Sequence, residues 1–145
     1  LGWRRIAPRA ALSSLGDAGY EAHRIACGAP KGDVDFAYGD TFPHDANMDL
    51  LHGVDFNKGC YVGQEVVSRV QHRGIARKRI VPVNFDGQAP ARGAEIFSGD
   101  VVIGTMGGSV GGRGLALIRV DKAAEAEAIT CAGRPLDVQL DGFLT

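Results

Sequence analysis

The chain has 145 residues, of which 45% are hydrophobic and 23% charged, with a formal net charge of −1. That length suits one compact domain or two small ones, and a core can be buried without staples. The near-neutral balance gives no charge argument for nucleic acid or an anionic membrane, and no apolar run approaches the ~18 residues that a membrane span needs.

In chain order, the opening "LGWRRIAPRA" has basic residues but no apolar segment behind them, so no signal peptide is expected. Gly2 to Ala7 reads as a short strand. Ala18 to Cys27, "AGYEAHRIAC", reads as a helix stopped by Gly28 and Pro30. Residues 31–57 scatter glycine, proline, aspartate and asparagine and read as an irregular segment. A loop that long is more often functional or closely packed than idle. A second helix is expected from Gly63 to His72, with Val66, Val67 and Val70 as its apolar stripe and Gly74 closing it. Glu65 in its first turn and Arg73 in its last suit the helix dipole.

Beyond Gly74 the pattern changes. "RKRIVPVNFDG" alternates at Val81, Val83 and Phe85, and "GAEIFSGDVVIGTMGG" gives two short strands around a Ser-Gly-Asp turn. "GRGLALIRVD" gives another strand, "AEAITCAGRPLDVQLDGF" two more, and Asp121 is placed to cap a short helical turn, "KAAEA". "GGSVGGRG", Gly107 to Gly114, has Arg113 and Gly114 where a phosphate loop has Lys and Ser/Thr, so it reads as a flexible hairpin loop. Short strands at this spacing predict a small antiparallel barrel or sandwich, with a boundary near Ile75. The fold class is α+β: an α/β part over residues 1–74 and a small β-barrel over residues 75–145.

The three cysteines, Cys27, Cys60 and Cys131, are odd in number, widely spaced and form no CxxC. That argues against a disulfide framework and a self-contained zinc site, and predicts a reducing, cytoplasmic location. His23, His44, His52 and His72 form no metal-binding pattern. Cys60 stands out because it lies in "NKGCYVGQE", Asn57 to Glu65, where a helix begins. A cation and a helix N-terminus both favour a thiolate. Lys58 and the helix start are expected to lower the Cys60 pKa, Gly59 and Gly63 to shape the loop, and Gln64 and Glu65 to hold the cysteine by hydrogen bonds to nearby backbone. Tyr61 and Trp3 are candidates for stacking on a flat heterocycle or for the core. The other reading of Cys60 is a small buried packing residue, the reading preferred for Cys27 and Cys131. The basic run Arg69, His72, Arg73, Arg77, Lys78, Arg79 either docks an anionic partner, with Arg69 and Arg73 foremost, or is a solvated helix face and basic edge strand.

"KGCYVGQE" resembles the signature of the YgfZ-type folate-binding proteins, relatives of the glycine-cleavage T-protein, an aminomethyltransferase. "RIACGAP" (Arg24 to Pro30), "FPHDANMDLLHGVDFNKGCYVGQEVVSRVQHRG" (Phe42 to Gly74) and "KRIVPV" follow in the order that family shows. The resemblance covers nearly the whole chain and corresponds to the C-terminal half of such proteins. It implies the C-terminal part of a T-protein-like folate-binding body followed by a small barrel. It also implies an accessory role in iron–sulfur cluster assembly or repair, with tetrahydrofolate as cofactor. Cys60 would then be the catalytic thiol or a ligand of a cluster shared with an assembly or client protein. One position departs from the pattern: relatives place an acid toward the pterin in a "RIEAG" stretch, and this chain has Ala26 there. The rival readings are a tetrahydrofolate-dependent aminomethyltransferase and a binding module related to tRNA modification. Neither a membrane nor a nucleic-acid partner is expected, and catalysis by this chain is not.

Overall fold

The computed structural model of the protein describes residues 17–73 and 76–143, with side chains from Gly19 onward except that of Arg73. The expected strand Gly2 to Ala7, Trp3 and the boundary at Ile75 lie outside the described residues. The first helix, α1, spans Asp17–Ala26 and the second, α2, Gln64–Arg73, each within one residue of the sequence expectation. Gly28 ends α1 as expected: at φ 62° it lets its N–H return to the Ile25 carbonyl while the Ala29 N–H reaches that of Arg24.

The strands are β1 (Lys78–Asn84), β2 (Glu95–Ser98), β3 (Val101–Val110), β4 (Arg113–Arg119), β5 (Ile129–Cys131), β6 (Arg134–Pro135) and β7 (Asp137–Val138). All pair antiparallel in the order β6-β5-β2-β3-β4-β1-β7. The two edge strands, β6 and β7, are separated in the chain by Leu136 alone, so the sheet curls into a nearly closed barrel. Val81 and Val83 of β1, Ile96, Ile103, Met106, Ala116, Ile118 and Cys131 fill its interior. The expected alternation of Val81 and Val83 is therefore correct, and Phe85 packs at the margin of the same core.

Two local expectations need correction. Gly107 to Val110 belong to β3 and are not loop: the turn is only Gly111 and Gly112, at φ 60° and 78°, with Val110 opposite Arg113. Two residues with positive φ make the tight turn that matches strand twist. Asp121 is not the cap of the short helix α3 (Val120–Ala124): Arg119 holds the cap position without a side-chain cap bond, and Asp121 pairs with the Arg119 guanidinium at 2.8 Å.

The outer wall of the barrel is covered. Ile80 and Leu115 point away from the interior and are buried against Ile25 of α1, with Phe36 and Leu117 beside them. The two parts of the chain therefore share a hydrophobic cluster. The N-terminal end of β1 has β4 on one side, while β7 reaches only Val83 and Asn84 on the other. There the irregular segment replaces a strand. Ile80 donates its N–H to the Asp45 carbonyl at 2.9 Å, and Asn47 Nδ2 donates to the Ile80 carbonyl at 2.5 Å.

A buried ion pair ties the same segment to the barrel. Arg24 Nη1 donates to Asp35 Oδ2 at 2.6 Å, with both side chains out of solvent. Asp35 also accepts from the backbone N–H of Lys31 at 2.8 Å and of Gly108 at 2.8 Å. The Gly108 bond is available because the β3–β4 register shifts between Met106 and Ser109, which frees a backbone donor from the ladder. The glycines are needed for space: a Cβ on Gly107 would lie 2.6 Å from Asp35 Oδ1.

Candidate functional site

Cys60 lies on an exposed loop that leaves the irregular segment and runs into α2. A turn at Asp55 begins it, where Oδ1 accepts the Asn57 N–H at 2.9 Å. Gly63, at φ 86°, turns the chain into the helix, and the Gln64 N–H bonds the Tyr61 carbonyl at 3.2 Å. Gly63 thus shapes the loop as expected. Gly59 has neither a positive φ nor any atom within 4 Å of a built Cβ, so local space does not demand glycine there. Lys58 Nζ sits over the Tyr61 ring, 4.8 Å from its centroid, which holds both side chains of the motif close together.

Beside this loop several large apolar side chains are largely in solvent. Val62 is fully exposed, and Phe42, Phe56 and Val66 are about half exposed. Only Val67 of the expected α2 stripe is fully buried; Val66 faces solvent and Val70 is half-buried. Phe42, Val62, Val66 and Val67 line a groove of about 400 Å³ together with Pro43, Met48, Lys58 and Tyr61. Beneath it, buried His44 pins the assembly: Nε2 lies 3.3 Å from Gln71 Oε1 of α2, and the ring packs on Phe56. His44 also accepts, through its carbonyl, a hydrogen bond from Arg79 Nη1 at 3.1 Å.

Several expected site residues have other partners. Glu65 takes the Arg69 guanidinium at 2.6 Å, so its contact among the described residues is an ion pair along the helix and not a backbone bond near Cys60. Arg69 is correspondingly engaged, and the Arg73 side chain lies outside the described residues. Arg79 is no part of a solvated basic face. It is buried and donates to both carboxylate oxygens of Asp49, at 3.0 and 2.8 Å. Burial pushes the Asp49 carboxyl up, but the Arg79 hydrogen bonds and charge outweigh it and leave the pKa below the ordinary value. Burial raises the neighbouring Asp45 carboxyl above its usual range. Arg77 and Lys78 border a wide cleft with Asp40, Asp45 and Asp121. Acids therefore interleave with the basic run in space.

Cys131 is fully buried in the barrel, and burial raises its thiol pKa, as a packing residue requires. Cys27 does not follow that expectation: it is exposed at the C-terminal end of α1, with its Sγ 3.7 Å from His23 Nε2. Helix periodicity places residues four apart on one face, so this contact was available from spacing. Arg24, Asp35, His44, Asn47 and Asp49, which hold the site's scaffold, carried no sequence signal of that kind. Among the described residues no three metal-donor side chains converge, and no helix is long and apolar enough to cross a membrane.

Residues 77–143 match the family model described as CAF17, C-terminal beta-barrel domain. Over 135 residues the chain is 36% identical to the iron-sulfur cluster assembly factor IBA57, mitochondrial, of Mus musculus, covering 82% of this chain and 37% of that protein. The Homo sapiens IBA57 is 37% identical over 119 residues, covering 77% of this chain and 32% of that protein. An IBA57 homolog from Mycosarcoma maydis is 49% identical over 76 residues, or 52% of this chain and 19% of that protein. The chain thus spans about a third of the length of the mouse and human relatives. The expected kinship holds at the broader level, since these relatives are IBA57 proteins, a YgfZ-related, T-protein-like group. The cytoplasmic expectation is overturned: these relatives are named as mitochondrial. Unpaired cysteines by themselves do not tell one compartment from another.

Proposed function

We propose that this chain works in iron–sulfur cluster assembly or repair, with Cys60 supplying one thiolate to a cluster shared with a partner protein. The observation that carries the reading is an exposed cysteine on a loop whose Lys58, Tyr61 and Val62 border a largely apolar groove, in a chain whose relatives are iron–sulfur assembly factors. Such clusters take four protein ligands. Cys60 has no converging donors among the described residues, so the remaining ligands come from the partner. The exposed apolar groups of the adjoining groove, Phe42, Val62 and Val66, suit a docking protein, whose arrival would exclude water from the iron–sulfur bonds. Lys58, Gly59, Tyr61, Gly63, Gln64 and Glu65 form the short loop and helix start that present the thiol.

Tetrahydrofolate enters this proposal only for a full-length protein. A pterin needs carboxylate lone pairs free to accept from its N–H edge. The buried carboxylate of Asp35 already accepts from Arg24, Lys31 and Gly108, and that of Asp49 from Arg79. Ala26 is exposed and offers no acceptor side chain. Neither buried carboxylate is therefore free to hold a pterin edge in this chain.

The test uses the full-length protein in cells that lack it. Cys60→Ala is expected to abolish maturation of iron–sulfur enzymes while the protein accumulates normally. Full maturation by that variant would sink the reading. Methylene transfer to tetrahydrofolate by the same full-length protein would instead establish the aminomethyltransferase alternative.

A further inference from the structure

Valines recur every four residues into α2. Val66 and Val70 lie one such step apart on the helix, and Val62 precedes them by the same step on the incoming loop. Val62 is fully exposed, Val66 is 44% exposed and Val70 is half-buried. Rows of residues four apart are the ridges that one helix presses into the grooves of another. No strand or other helix packs extensively on α2 among the described residues. Val62 and Val66 line the groove of about 400 Å³ with Phe42 and Met48, and Val70 lines a cleft of about 640 Å³ that adjoins it at Phe42. The groove is held open in advance. The Gly53 and Val54 N–H groups both donate to the Met48 carbonyl, at 2.6 and 3.2 Å, and buried His44 meets Gln71 of α2.

We propose that this groove seats an amphipathic helix of the cluster partner, with apolar side chains entering beside Val62 and Val66 and a carboxylate reaching Lys58. The proposal rests on the reading of Cys60 as a ligand shared with a docked protein, and names the element by which that protein docks. The charge of the groove selects the occupant. Lys58 is the one charged residue that lines it, and no carboxylate does. Its ammonium lies over the Tyr61 ring and makes no ion pair among the described residues. The adjoining cleft sets no preference, since Arg77 and Lys78 are met there by Asp40, Asp45 and Asp121. The shape of the groove selects a helix. Loop and α2 residues line it and no strand does, so it offers no sheet edge for an added strand. An apolar groove takes a helix through anchors at i, i+3, i+4 and i+7. A contiguous group of exposed apolar side chains, as here, marks a contact surface, whereas single ones do not.

Two labelled, alanine-based helical peptides test the site by fluorescence anisotropy. Both carry leucines at i, i+3, i+4 and i+7, one with glutamates beside that face and the other with lysines. Each is titrated with the full-length protein and with the 145-residue chain, whose net charge of −1 gives no general preference for the acidic peptide. The acidic peptide is expected to bind both proteins, about 2- to 5-fold more tightly than the basic one, the scale of one exposed ion pair. Lys58→Glu should reverse that order. Val62→Asp should weaken the acidic peptide at least ~10-fold, because the new carboxylate would be buried against leucine. Val62 is fully exposed, so its substitution spares the fold, and thermal melts check both variants. Equal affinity for the two peptides, an order that survives Lys58→Glu, or no binding would each overturn the inference. Binding by the 145-residue chain but not by the full-length protein would give the groove to the rest of the protein's own polypeptide and overturn it as well. The peptides carry no thiol, so this readout and the Cys60→Ala maturation test can fail independently of each other.

Discussion

The segment from Arg24 to Asp49 and the loop from Val54 to Gly63 are neighbours in sequence with opposite relations to the barrel. The first is bound down by buried polar contacts: Arg24 with Asp35, Arg79 with Asp49, Asn47 with the Ile80 carbonyl. The second has a backbone turn at Asp55 and a cation–π contact between Lys58 and Tyr61, and its residues are mostly exposed. A buried polar group without its partner is costly, so the first segment holds one arrangement. The second contributes little to stability and is free to present chemistry. Opening energies are lowest where buried contacts are few, and functional loops are drawn from that end.

Substitutions can break or sharpen this contrast. The largest effect is expected at Asp35. Asp35→Ala leaves Arg24 with Glu21 as its one carboxylate partner and orphans the Lys31 and Gly108 N–H groups, and should cost about 3–5 kcal/mol, measured by urea unfolding. A loss below about 1 kcal/mol would mean that the ion pair does not hold the segment.

Asp49→Asn should follow, at about 2–3 kcal/mol near neutral pH, because Asp49 retains slight exposure. Its sign with pH is fixed by its lowered pKa. The stability from this carboxylate is present above its ordinary value of 3.8 and is lost as pH falls through the lower folded value. The stability gap between parent and variant should therefore close on acidification below that value. Asp45, whose pKa is raised, acts in the opposite direction and is common to both proteins. A gap that stays constant down to unfolding would refute the assignment.

Gly107→Ala comes third, at about 1–3 kcal/mol, since the new methyl meets Asp35 Oδ1 and the Leu115 carbonyl oxygen at 2.6 and 2.8 Å. Asp35→Ala should partly relieve it, so the double variant should fall short of additivity. Strict additivity would separate the bulge from the ion pair.

The smallest effect belongs to the exposed loop. Cys60→Ser should shift stability by less than about 0.5 kcal/mol while removing the proposed cluster function. Alkylation gives the matching test on the folded chain. Cys60 and Cys27 should modify without unfolding and Cys131 only after it, as read by peptide mass. Protection of Cys60 in the native chain would make the loop a packed element.

Much of the architecture was legible. The helix limits, the Gly28 stop, the β2–β3 hairpin and the alternation of Val81 and Val83 are local patterns, set by helix period, strand period and glycine stereochemistry. The Gly107–Val110 stretch was misread as loop because glycine ordinarily weakens a strand. Here those glycines let Asp35, more than seventy residues earlier, press against the strand. The short α3 was found, but its cap was not, because the cap position falls on Arg119, and Asp121, already inside the helix, pairs with that guanidinium.

By itself the sequence determined the two longer helices, the first barrel strands, the barrel class and the motif around Cys60, since each rests on residues within one turn or one strand; it read two strands where the C-terminal stretch forms β5, β6 and β7. It also carried the His23–Cys27 spacing, although not the exposure of the pair. Tertiary structure alone decided which charges are buried and which are free. Arg79 pairs with Asp49 thirty residues away, and Arg24 with Asp35 across a turn. The burial that makes those pairs obligatory comes from α1 and the irregular segment packing on the outer wall of the barrel, and no periodicity along one segment reports those contacts.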